Sequence, residues 1–313
     1  MLIEGSRLNM EEKDVSINGL NLHYIDWPGY GHPIVCVHGL TANCRYMDNL
    51  GEKLSPQFRV IAYDLRGRGN SDKPSNGYNL AQHVTDLLGL FDALFLDKPV
   101  LLGHSLGAAI SASFASQYPD RIHRLILVDG GGGGPKVDYD TLLDQIRPVI
   151  TRLSQRFQTT KDYIEIMKSK YGKDWTNYAE RVYTYDIGRN SDGTVSSKLT
   201  EERALQDFNG LKNYDPYYVW DSIQCPTLFL RAPEDYLGKP APAEQVATKI
   251  IASVIPNCKW VEIKDSNHAT ILLSENVATC EEIRIFLEDP SPKPNIKERK
   301  LNYYKSIAKK TLG

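Results

Sequence analysis

An α/β architecture, a mostly parallel sheet with helices on both faces, is predicted by two observations. Short apolar runs rich in β-branched residues recur along the chain: PIVCVHG from Pro33, FRVIAYDL from Phe58, PVLLG from Pro99, RLILVD from Arg124, PTLFLR from Pro226 and the weaker WVEI from Trp260. Runs apolar at successive positions suit strands buried on both faces. Segments of helix length separate them, and strand–helix alternation builds parallel βαβ units.

Each element follows from a local signal. DVSINGLNLHYIDW alternates apolar and polar residues on both sides of Asn18-Gly19, so it reads as two antiparallel strands joined by a two-residue turn. Between Asn79 and Asp97, Leu80, Val84, Leu87, Leu88, Phe91, Leu94 and Phe95 recur at three- and four-residue spacing, as an amphipathic helix requires. Leu106 to Tyr118 is small and apolar, fit for a helix packed tightly on a sheet. Glu275 to Leu287 reads as a late helix with Val277, Ile283, Phe286 and Leu287 inward.

From Pro135 to about Asp221 no buried-strand run appears. The stretch is helical in pattern, polar and rich in tyrosine, and the five glycines Gly130 to Gly134 precede it. The expected organisation is a core of residues 1–134 and 222–290, a helical cap of residues 135–221 over the sheet's end, and a Pro-broken basic tail of residues 291–313.

Composition narrows the function classes. Lys plus Arg number 37 against 39 Asp plus Glu, so no basic field for nucleic acid or a membrane surface is expected. The apolar fraction of 41% and charged fraction of 24% are those of a globular domain. No apolar run approaches the roughly 20 residues that span a bilayer, and the N-terminus lacks a signal-peptide core; a cytoplasmic protein is the expectation. Cys36, Cys44, Cys225, Cys258 and Cys280 are scattered and mostly in apolar segments, which favours buried free thiols. Neither a CxxC pair nor HExxH occurs, so no metal is expected. RGRG and Gly130 to Gly134 lack the Lys and Ser/Thr of a phosphate loop, so no nucleotide cofactor is expected either.

The chemistry centres on GHSLG, Gly103 to Gly107. A strand that turns at once into a helix strains the turn residue, and side chains two positions either side of it would strike neighbouring backbone. Ser105 is therefore the candidate nucleophile, with VLL before it as strand and LGAAISASFAS after it as helix. The backbone N–H of Leu106 opens that helix, where amides lack intrahelical partners and negative charge is favoured. A second oxyanion donor is expected from the loop after an earlier strand, and Leu40, following His38-Gly39, fits. His38 is read as orienting that loop. Gly39 and His104 are the candidate substrate-binding positions.

A serine hydroxyl needs a base, and the base a carboxylate to orient it. His268, in the polar loop KDSNHATILLSEN, is the histidine that follows the last strands. Asp235, where APEDYLG leaves the strand PTLFLR, is the first choice of acid. Asp129, ending RLILVD, and Glu234 are its rivals.

VHGL, DLRGRGNSDKP, GHSLG, the Asp235 turn and NHA, taken in this order, resemble the α/β-hydrolase superfamily, above all its cap-bearing members that include small carboxylesterases, lactonases and C–C bond hydrolases. The resemblance covers about Val15 to Leu287. It implies an α/β-hydrolase fold, a Ser105–His268–Asp235 triad and an oxyanion hole from Leu40 and Leu106. Relatives that open epoxides or displace halide carry aspartate where this chain has Ser105, which argues against both activities. Ala232 stands where the family often has glycine. The implied activity is cofactor-independent hydrolysis of a small carboxylic ester or lactone; C–C hydrolysis or a lyase step, and a ligand receptor on the same fold, are the alternatives.

Overall fold

The computed structural model describes residues 10–131, 139–234, 250, 252–275 and 277–290. Its centre is an eight-stranded sheet in the order β1-β2-β4-β3-β5-β6-β9-β10. The strands are β1 (Glu11–Ile17), β2 (Leu20–Trp27), β3 (Gly31–Val37), β4 (Phe58–Tyr63), β5 (Val100–His104), β6 (Arg124–Val128), β9 (Thr227–Arg231) and β10 (Cys258–Glu262). β1 and β2 pair antiparallel, as do β2 and β4, and every other neighbouring pair is parallel. The antiparallel edge is the hairpin read from Asn18-Gly19, whose φ angles of 47° and 78° are those of a primed turn.

Burial alternates along the strands as a doubly covered sheet demands. Val35 and Val37 enter a cluster with Val84, Leu87 and Phe91 of α2 (Leu80–Ala93) and Ile110 and Phe114 of α3 (Leu106–Gln117). Ile34 and Cys36 face the opposite cluster, with Leu50 and Leu54 of α1 (Asp48–Leu54) and Ile283 and Phe286 of α9 (Ala278–Glu288). Asn79 caps α2 by accepting a hydrogen bond from the Gln82 amide. The helix ends at Ala93, two residues short of the apolar periodicity: Phe95 takes φ 55° in the closing turn and is 95% exposed. Val277 likewise lies just before α9 and is exposed, not inward as its spacing suggests.

Between β6 and β9 the chain runs through α4 (Tyr139–Thr151), α5 (Thr160–Tyr171), α6 (Asn177–Asp186), the hairpin β7 (Ile187–Arg189) and β8 (Val195–Ser197), α7 (Glu201–Gly210) and α8 (Pro216–Asp221). Thr159, Thr176, Thr200 and Asp215 cap four of these helices with side-chain acceptors. The hairpin has three-residue strands, too short for a periodicity of two to register in the sequence. This insertion is tied to the core by polar contacts between residues far apart in the chain. Tyr185 donates to Asp64 at 2.5 Å, Thr176 donates to the Leu273 carbonyl at 2.6 Å, and Asn267 donates to Asp174 at 3.1 Å.

A further tie carries a testable cost. Arg181 of α6 and Arg45 both stand 3.6 Å from the Asp48 carboxylate, which is buried and accepts no hydrogen bond. Burial outweighs the two arginines and pushes Asp48 up to about 6. The folded protein thus holds a proton that the unfolded chain releases from about pH 4 upwards, so this group withdraws stability as pH rises to 6. Asp48→Asn is therefore expected to raise unfolding free energy by about 1–3 kcal/mol at pH 8 and to change little at pH 4. Denaturant unfolding at the two pH values checks it; an equal effect at both would assign the change to something other than ionisation.

Candidate active site

Strand β5 ends at His104 and helix α3 starts at Leu106, so Ser105 alone makes the turn. Its φ of 56° and ψ of −117° are the strained backbone that the sequence requires there. The flanking glycines have no room for anything larger. A β-carbon on Gly103 would lie 2.1 Å from the Gly107 carbonyl oxygen, and one on Gly107 would lie 2.0 Å from that of Val37. A serine that caps a helix ordinarily turns its hydroxyl onto the first amides. Ser105 makes no such bond, and its side chain faces Gly39, where a β-carbon would stand 3.6 Å from Oγ.

Leu106 occupies the first position of α3, with its amide at the positive end of the helix. The Gly39–Leu40 loop approaches from β3. His38 fixes it: Nδ1 donates to the Gly39 carbonyl at 2.8 Å while Nε2 accepts from the Leu65 amide at 3.0 Å. Both nitrogens are committed to backbone, and full burial lowers its proton affinity to about 4. His38 is therefore a neutral strut, in keeping with the orienting role read from the sequence. Gly39 keeps the loop close to Ser105.

His268 Nδ1 is 2.7 Å from Asp129 Oδ2. The other oxygen of Asp129 accepts from the Ala232 amide at 3.0 Å. Burial raises the Asp129 carboxyl, but its hydrogen bond to His268, the positive charge that imidazole can carry and the bond from the Ala232 amide outweigh burial and hold it below the usual carboxylate range. The residues on either side of Asp129 both touch the serine: the Ser105 amide donates to the Val128 carbonyl at 3.1 Å, and Gly130 packs against the Ser105 backbone, its absent β-carbon lying 2.5 Å from Cα.

Among the described residues the carboxylate on His268 is thus Asp129, which the sequence offered as a rival to its first choice, Asp235. Asp235 lies outside the described residues, and Glu234, at the end of the described stretch, uses its amide to bond the Ser266 carbonyl. β6 is the immediate neighbour of β5, so Asp129, the residue after β6, emerges beside the serine after β5. The signal for Asp129 was its place directly after a buried strand and before a glycine; a φ of 44° lets it turn back over the sheet edge.

His104 does not line an open site. It is buried between Tyr46, stacked at 5.2 Å, and His268, 4.7 Å away, and its Nε2 donates to the His268 carbonyl at 2.9 Å. Burial and the adjacent His268 lower it to about 3, so it stays neutral. It thereby ties the His268 backbone to the end of β5.

Two buried arginines, Arg68 and Arg152, each face a carboxylate. Arg68, fully buried, faces Asp207 of α7 at 2.6 Å, and Asp207 also meets His83 of α2 at 2.8 Å. Arg152 takes Tyr163 as acceptor at 2.6 Å and stands 3.6 Å from Asp186. Leu40 packs against an apolar cluster of the insertion comprising Ile150, Leu153, Leu199 and Ala204, with Leu143 and Ile146 alongside. No group of three or more metal-ligating side chains occurs among the described residues, and no described helix is long and apolar enough to cross a membrane.

Comparison with known proteins agrees with this fold. A family model described as alpha/beta hydrolase fold matches residues 32–275 of the 313-residue chain. A 2-(acetamidomethylene)succinate hydrolase of Mesorhizobium japonicum is 33% identical over 143 residues, which is 46% of this chain and 50% of that protein. An uncharacterized protein of Mycobacterium tuberculosis is 38% identical over 104 residues, 33% of this chain and 30% of its own length. The chain thus spans 30% to 50% of the length of these curated relatives. Among solved structures, E-2-(acetamidomethylene)succinate hydrolase superposes with a TM-score of 0.78 at 25% identity, covering 90% of this chain and 100% of that one. A thermophilic esterase from Thermogutta terrifontis shares the fold, with a TM-score of 0.67 at 23% identity over 90% of this chain and 99% of its own. The chain belongs to the α/β-hydrolase family.

Proposed function

We propose that the protein is a serine hydrolase that cleaves a small, uncharged carboxylic ester or lactone through an acyl-enzyme, with Ser105 as nucleophile, His268 as base and Asp129 as the orienting acid. The observation that carries this reading is the 2.7 Å contact from Asp129 to His268 Nδ1, made beside a serine held at φ 56°. In this reading Nδ1 faces the carboxylate and Nε2 is the nitrogen that takes the serine proton.

The steps follow. Ser105 Oγ bonds to the carbonyl carbon as its proton passes to His268 Nε2, and the carbonyl π pair moves onto oxygen. The amides of Leu40 and Leu106 hold that oxyanion; such a donor is worth about 3–4 kcal/mol of transition-state stabilisation. The C–O bond to the leaving group breaks, and the alcohol departs with the proton from His268. Water, deprotonated by the same imidazole, then releases the acid and restores Ser105. The insertion serves as a lid over this edge of the sheet, where pockets form in α/β folds.

An uncharged substrate is favoured because Leu40 borders an apolar cluster and the buried Arg68 and Arg152 are already paired with carboxylates. The likeness to a 2-(acetamidomethylene)succinate hydrolase supports, as a second reading, scission of an acylated amine bearing carboxylates on the same triad.

The test is a panel of p-nitrophenyl esters and lactones of graded size, with 2-(acetamidomethylene)succinate alongside, each reaction quenched early for intact-mass analysis. Turnover of neutral esters or lactones, with an acyl adduct on the Ser105 peptide, is expected. Turnover of the succinate alone would select the second reading. A protein that turns over none and acquires no adduct would remove the hydrolase assignment.

A further inference from the structure

Arg68 joins two things that the reaction needs and that the chain keeps far apart. Its Nε and Nη2 donate to the Leu40 carbonyl at 3.3 and 3.1 Å, and its Nη1 donates to the Arg66 carbonyl at 3.0 Å. The same Nη1 lies 2.6 Å from Asp207 Oδ2, on α7 of the insertion. Asp207 Oδ1 in turn meets His83 Nε2 of the core at 2.8 Å. All three side chains are at most 1% exposed.

A buried ion pair of this kind contributes little net stability, because desolvation consumes most of its Coulomb gain. What it supplies is position. The planar guanidinium can fork onto the Leu40 carbonyl and face Asp207 only in one orientation. The Leu40 carbonyl lies two bonds from the Leu40 α-carbon, which also carries the amide placed in the oxyanion hole. The amide belongs to the peptide before that α-carbon, whose Gly39 carbonyl is held by His38, and the carbonyl to the peptide after it, so Arg68 supplies the second hold that fixes the Leu40 torsions and with them the aim of the amide.

We propose that Asp207 is a positioning residue for the oxyanion hole: by holding Arg68 on the Leu40 carbonyl, it makes competence of the hole depend on docking of the insertion's α7. This rests on the serine-hydrolase reading above. Substrate that seats the insertion would thereby also complete the site that stabilises its own transition state, and an undocked insertion would leave the triad intact but the hole misaimed.

The test uses the full chain with Asp207→Asn and Arg68→Lys. The first keeps shape and removes the charge that Arg68 faces. The second keeps a cation opposite Asp207 and removes the fork onto Leu40. Three readings are taken for each: kcat and KM on the best ester of the panel, and inhibition by the matching trifluoromethyl ketone. That ketone accepts Ser105 Oγ at its carbonyl carbon, passes the serine proton to His268 and places the resulting oxyanion in the hole. A shift in donor position of about 1 Å costs on the order of 10²-fold. The expected result is a fall of about 10²-fold in kcat, matched by an equal loss of ketone affinity, with KM changed less than threefold and thermal unfolding still cooperative. Unchanged ketone affinity in a folded Arg68→Lys protein would overturn the inference, and so would equal damage to KM and ketone affinity. Should Asp207→Asn fail to unfold cooperatively, Arg68→Lys decides alone. Failure of the underlying reading looks different: the wild type itself would bind no ketone and take no fluorophosphonate on Ser105.

Discussion

Ser105→Ala is expected to lower kcat by about 10⁴- to 10⁶-fold while leaving the protein folded. The size of the effect follows from what the hydroxyl does. It forms the covalent intermediate, and without it His268 has no proton to take and the oxyanion hole acts on a carbonyl attacked only by water. The fold should survive because the strain at this position resides in the backbone and the β-carbon, both of which alanine keeps. The amide of residue 105 donates its hydrogen bond to the Val128 carbonyl with either side chain. Release of p-nitrophenol against a thermal melt of the same preparation checks both halves. Wild-type turnover by the variant would remove Ser105 from the reaction, whereas a collapsed melt would make loss of activity uninformative.

Asp129→Asn is expected to cost about 10⁴-fold in kcat with KM nearly unchanged. Asparagine can still take the Ala232 amide on its oxygen, so the strand end should keep its geometry. Its amide nitrogen, however, donates where the carboxylate accepts. His268 would then turn Nδ1 into the acceptor and carry its proton on Nε2, the nitrogen that must receive the serine proton. The base would be present, in place and in the wrong tautomer. Steady-state kinetics over pH 6 to 9 reads this as a drop in kcat at every pH. A variant with wild-type kcat would leave Asp129 no part in orienting the base.

Local information in the chain reaches some of this and stops short of the rest. The strands, the hairpin at Asn18-Gly19 and the elbow were legible because each is a property of neighbouring residues: apolar run, turn dipeptide, glycines two places from a serine. His268 was legible from order alone, as the histidine beyond the last strands. The acid was not, because Asp129 and Asp235 both follow buried strands and nothing local ranks them. That β6 lies against β5, bringing Asp129 beside the serine, is a matter of sheet order that no single-sequence pattern encodes. Neither could His104 be placed: its position beside Ser105 suggests contact with substrate, yet β5 turns the side chain inward between Tyr46 and His268. The ties of the insertion were out of reach for a related reason. Arg68 with Asp207, Asp64 with Tyr185 and Asp174 with Asn267 are pairs of ordinary polar residues, more than ninety positions apart, with no motif to link them. Phe95 and Val277 show the converse error, where apolar spacing ran past the end of a helix.

The partnership of His268 with Asp129 can be read directly from the proton between them. A histidine Nδ1–H held short against a buried carboxylate resonates far downfield of ordinary imidazole protons. One-dimensional proton spectra of the wild type, Asp129→Asn and Asp235→Asn would decide which carboxylate holds it. The downfield signal should be present in the wild type, absent in Asp129→Asn and retained in Asp235→Asn. A signal that survives loss of the Asp129 carboxylate and disappears with that of Asp235 would contradict the account.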